Sequence, residues 1–90
     1  MDHKEYIEGL IAKGKTEEAI KELQRGAQDS ELKNGLILLS GRLHVVKDNE
    51  RMGLQSSDQI TMAHNRIRHT LMSYLADYQP PEDIVFGQDA

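Results

Sequence analysis

The chain has no cysteine and no tryptophan, and only one phenylalanine and three tyrosines among its 90 residues. Without thiols there is no disulfide, thiolate metal site or cysteine nucleophile, and a reducing compartment is the natural setting. With so few aromatics, the core has to be aliphatic. Long apolar runs are missing too. The longest is Leu36-Ile37-Leu38-Leu39, against the roughly 20 residues that cross a bilayer. No basic, apolar, small-residue leader opens the sequence. No membrane association and a cytoplasmic location are therefore expected.

What is present is a 10.2 kDa chain, 38% hydrophobic and 29% charged, enough for one modest domain. Its net charge of −4 is unevenly spread. Residues 1–31 sum to −3, residues 32–76 to +3 and residues 77–90 to −4. Such polarity suits pairing between an acidic and a basic surface, within one molecule or between two. The adjacent Pro80 and Pro81 close the helical pattern, so residues 1–79 read as the domain. Residues 80–90 read as an acidic, proline-containing tail or linker, with folding back of Ile84, Val85 and Phe86 onto the domain as the alternative.

Hydrophobic periodicity predicts an all-α domain of four helices. Tyr6, Ile7, Leu10 and Ile11 share a face of the first, which ends at Gly14. Thr16 is the candidate N-cap of the second, with Glu17 and Glu18 at the positive end of its dipole. This helix buries Ala19, Ile20 and Leu23 and closes at Gly26. Asp29 or Ser30 caps the third, whose seam of Leu32, Leu36, Leu39, Leu43 and Val46 follows a four-three spacing. Gly53-Leu54 reads as a left-handed C-terminal cap, and Ser56 with Gln59 as the capping box of the fourth helix. The seam of that helix is Ile60, Ala63, Ile67, Leu71, Tyr74 and Tyr78. Helices three and four, each about 33 Å long, are expected to pair antiparallel. The result is a short N-terminal helical hairpin packed on a long one.

Helix three carries a second apolar stripe opposite its seam, made of Ile37, Leu38, Gly41 and Val45. The economical expectation is that the first hairpin covers it, eased by Gly41. The alternative is that part of it, Leu38 and Val45 in particular, meets another protein.

Catalysis, metal binding and cofactor binding find no support. His3, His44, His64 and His69 include no pair four residues apart, and His64 and His69 are about 140° apart on a helix. No HExxH spacing or acid–histidine cluster occurs. The serines sit in a helix or at caps without a nucleophile turn, and the glycines are scattered rather than grouped to cradle phosphate. A non-enzyme with no cofactor and no metal is expected.

One constellation stands out. Arg42 and Arg66 are equidistant in sequence from Leu54 and offset in the same sense from their seams, so an antiparallel hairpin makes them neighbours. Two adjacent cations call for a carboxylate or another anion between them. That anion is either an acid of the first hairpin or an acidic patch on a partner. Arg68 is their expected exposed neighbour. The runner-up function is a small regulatory or nucleic-acid-associated protein using this basic face, although nucleic acid is unlikely because aromatic stacking residues are missing nearby.

Four stretches, in order, carry a resemblance. They are the run from Leu10 to Ile20 (LIAKGKTEEAI), Leu38-Leu39-Ser40-Gly41-Arg42-Leu43, Gly53-Leu54-Gln55-Ser56 and Asn65-Arg66-Ile67. Together they resemble effector-associated domain 11, a family of small bacterial helical domains fused to effector or sensor modules of conflict and defence systems. The resemblance spans about residues 5–78, and its first run is also similar to one tetratricopeptide helix pair. It implies a non-enzymatic adaptor that couples two proteins by like-with-like pairing, comparable in role to death-type domains. Four helices in place of six keep that comparison to role alone. The partner implied is a protein carrying a like or complementary helical domain, with homo-oligomers as one form.

Overall fold

A computed structural model describes residues 2–82. It contains four helices, α1 His3–Ala12, α2 Thr16–Gly26, α3 Ser30–Met52 and α4 Ser57–Asp77, and no strand among the described residues. The possible docking of Ile84, Val85 and Phe86 lies outside them.

The helix ends follow local chemistry. Asp2 and Glu5 form a reciprocal capping box on α1, unnoticed in the sequence. At the other end, Gly14 takes a positive φ of 78°. Lys15 N–H then reaches the Leu10 carbonyl at 2.8 Å and Gly14 N–H that of Ile11 at 3.0 Å, a Schellman motif. The turn is so tight that α2 starts at once. Lys15, not Thr16, is its N-cap, with no side-chain cap bond. Thr16 is instead buried as the first helical residue. Asp29 caps α3 through the Glu31 N–H. Gly53, with φ of 69°, ends it in a second Schellman motif, Leu54 N–H to Asn49 at 2.9 Å and Gly53 N–H to Glu50 at 3.2 Å. Ser56 and Gln59 form the expected capping box of α4.

α3 and α4 pair as the long hairpin, α1 and α2 as the short one, and α2 touches both long helices. Ala19, Ile20 and Leu23 of α2 enter the groove between them and join Leu36, Leu39, Leu43, Ile67, Leu71 and Leu75 in one core. This packing decides the fate of the second stripe. The apolar face of α2 buries more surface between two helices than against the back of one, so the first hairpin docks on the same seam that pairs α3 with α4. Ile37, Leu38 and Val45 are left 60%, 71% and 56% exposed. Nothing lies within 4 Å of where a Gly41 side chain would begin. The expectation that the first hairpin covers this stripe, with Gly41 easing its approach, is overturned.

Polar ties hold the two hairpins in register. Lys47 of α3 donates to Glu17 of α2 at 2.6 Å, and Lys4 of α1 donates to the Ala76 carbonyl at 3.0 Å.

Candidate interaction face

The short hairpin covers one side of α3 and α4, and the other side is open. On the covered side lies a cleft formed by the α1–α2 turn with Leu43 and Lys47 of α3 and His64 and Arg68 of α4. Here Glu17 receives Lys47 and stands 3.5 Å from Lys21. The Lys47 hydrogen bond and charge hold its carboxyl below the ordinary value of 4.5. Arg68 belongs to this side and hydrogen-bonds Asn65. It is half-buried. Its expected place as the exposed neighbour of Arg42 and Arg66 is corrected, because two residues advance a helix by about 200° and turn Arg68 away from Arg66.

On the open side Arg42 and Arg66 line one groove of about 590 Å³, with Val45, Val46, Ala63 and Ile67 among its apolar walls. The antiparallel register thus brings the two arginines to one groove. No residue of the short hairpin lines this groove. Both guanidinium groups are exposed and neither makes an ion pair with a described residue. An acid of the first hairpin is therefore not their partner, for the same reason that the stripe is bare: that hairpin sits on the opposite flank. Leu38 and Val45 rise beside the groove on α3, so four of the five candidate residues (Arg42, Arg66, Leu38 and Val45) share the open side.

Two features escaped the sequence reading. The first is a cleft of about 500 Å³ at the other end of the long hairpin, lined by Glu31, Leu32, Tyr74 and Asp77. Glu31 and Asp77 are as symmetric about Leu54 as Arg42 and Arg66, which is the signal that would have found them. The second is His3. It is 1% exposed, with Nδ1 2.8 Å from the Tyr78 hydroxyl and Nε2 3.0 Å from Glu22. Glu22 also accepts from Arg25 at 2.9 Å. Burial raises the Glu22 carboxyl, but the hydrogen bonds from Arg25 and His3 outweigh it and hold the group below 4.5. Burial pushes the Tyr78 phenol above 10.0. A residue near the end of a helical pattern offered no periodic signal for this role.

Among the described residues no three histidines or carboxylates gather as metal ligands, and no helix is long and apolar enough to cross a membrane. What the open side offers is exposed apolar area bordered by charge that makes no ion pair with a described residue.

No curated protein and no solved structure matches the chain. The sequence model of effector-associated domain 11 matches residues 2–79, a span that starts at the α1 capping box and ends one residue past Tyr78, the α4 cap. This chain belongs to the effector-associated domain 11 family.

Proposed function

We propose that this domain is a non-enzymatic protein–protein interaction module. It recruits or couples effector and sensor proteins in the bacterial cytoplasm, as part of a defence or conflict system, by pairing with a like helical domain. The carrying observation is the open side of the long hairpin, where Leu38 and Val45 stay exposed beside two exposed arginines that make no ion pair with a described residue. Exposed apolar side chains gathered in one patch and rimmed by charge commonly mark recognition surfaces, which supports this reading. Family membership supports an association with effector proteins. The alternative nucleic-acid reading finds less support, because among the described residues no aromatic side chain lines the arginine groove.

Light scattering over a concentration series tests the reading. Association is expected as mass above 10.2 kDa that Leu38→Ser with Val45→Ser abolishes without changing the helical circular-dichroism spectrum. Association unaffected by these changes would remove the open side from the account. A strict monomer that also fails to bind a like domain would remove the adaptor.

A further inference from the structure

We infer that the open side of the long hairpin is self-complementary, and that its partner is the same side of a second copy turned end for end. This rests on the pairing proposed above and assigns its geometry.

An α-helix advances about 100° and 1.5 Å per residue, so a residue eleven positions on returns to within about 20° of the same face, about 16 Å along the axis. Glu31 and Arg42 have this spacing on α3, and Arg66 and Asp77 have it on α4. The antiparallel register then couples the two helices twice over. Glu31 and Asp77 line one cleft, and Arg42 and Arg66 line one groove. The open side therefore carries an acidic pair near the free ends of the long hairpin and a basic pair about 16 Å nearer its turn. All four side chains are exposed, and none makes an ion pair with a described residue. Elsewhere on the domain Lys47, Arg25 and Arg51 are matched to Glu17, Glu22 and Asp48. The level midway between the two pairs falls close to Leu38, the most exposed large apolar side chain of the described residues, at 71%.

These positions satisfy the condition for a closed twofold interface, in which one patch meets itself. A twofold axis lying in the interface, at right angles to the long helices near Leu38, sets Arg42 and Arg66 of each copy over Glu31 and Asp77 of the other, and places the two Leu38 side chains together at the centre. The apolar contact excludes water, and the flanking charges fix the antiparallel orientation. A parallel arrangement would set like charges against like, which disfavours it. A head-to-tail contact would use one acidic and one basic pair and leave the others unmatched.

Charge reversal tests this symmetry. The protein, an Arg42→Glu/Arg66→Glu variant and a Glu31→Lys/Asp77→Lys variant are each examined by sedimentation velocity at low salt, with circular-dichroism melts to confirm folding. The unchanged protein is expected to dimerise, and each variant to associate at least about tenfold more weakly, because the twofold contact then sets its reversed pair opposite a pair of like sign. Mixing the two variants is expected to restore a one-to-one dimer, since at both levels a pair of acids on one copy then meets a pair of bases on the other. Association of the protein that neither variant weakens, or variants that fail to complement, would overturn this geometry while leaving the interaction module standing on another face. A protein that stays monomeric but binds a different helical domain would overturn self-pairing and keep the module. Loss of association at an unchanged melting temperature, with recovery on mixing, has no explanation in fold stability alone.

Discussion

The phenol of Tyr74 lies across Gly35, so close that a β-carbon at Gly35 would stand 2.6 Å from its oxygen and 2.9 Å from the ring carbon that bears it. Gly41, six residues on, has nothing within 4 Å. The two glycines of one helix therefore respond oppositely to the same substitution. Gly41→Ala should stabilise the fold by roughly 0.5 to 1 kcal/mol, the usual helix-propensity gain. Gly35→Ala should show no such gain, because the half-buried Tyr74 ring has to move. Thermal melts of the two variants side by side check this, and an equal rise in both would deny the close packing.

At the seam, Leu39 and Leu71 are 1% and 0% exposed within the single core. Truncating either to alanine should cost roughly 2 to 5 kcal/mol, as large-to-small changes at packed sites do. In a domain this small such a loss approaches the whole stability. Chemical denaturation measures it, and a change under about 1 kcal/mol would be out of keeping with a packed seam.

Arg42→Gln together with Arg66→Gln should leave the melting temperature nearly unchanged, because exposed residues without internal partners shift stability by under about 0.5 kcal/mol. Association should weaken. A lowered melting point would instead reveal an internal anion behind the pair, and calorimetry with a binding titration separates the two outcomes.

Acid should loosen the Glu17–Lys47 tie between the hairpins and the Glu22 pairings with His3 and Arg25 inside the short one. Glu17 and Glu22 have carboxyls held below 4.5 in the folded chain, so each contributes stability that is present above that value and lost as pH falls through the folded-state pKa. The melting temperature of the protein should therefore drop as pH decreases below about 4.5. Replacing both residues by Gln should make that drop shallower, while lowering stability at neutral pH. A melting profile of the double variant parallel to that of the protein would mean that neither pairing survives in solution.

The long hairpin was legible because it rests on repeated local signals. The four-three seam from Leu32 to Val46, the left-handed Gly53 and the Ser56–Gln59 box are each read within a turn or two of helix. That Arg42 and Arg66 line one groove followed from register alone. Thr16 misled because its type suits a cap, whereas the Schellman turn at Gly14 shortens the connection and leaves Lys15 at the boundary. Which flank the short hairpin would cover was not encoded in any one helix. It depends on α2 finding a groove between two others, and Leu38, Val45 and Arg68 changed sides of the argument with that choice. His3 lacked a periodic signal altogether, since its partners Glu22 and Tyr78 lie on two other segments.

The contact between His3 and Tyr78 also governs how the domain is wired into a polypeptide. It joins the second described residue from the start to the residue that caps the last helix, across a domain whose longest dimension is 43 Å. Entry and exit thus stand side by side, so inserting the domain into a chain would add a pendant body while scarcely separating the segments on either side of it. The Gly53–Ser56 turn then points away from the point of attachment, and the long hairpin becomes a lever whose flank can reach a neighbour without displacing the module that carries it.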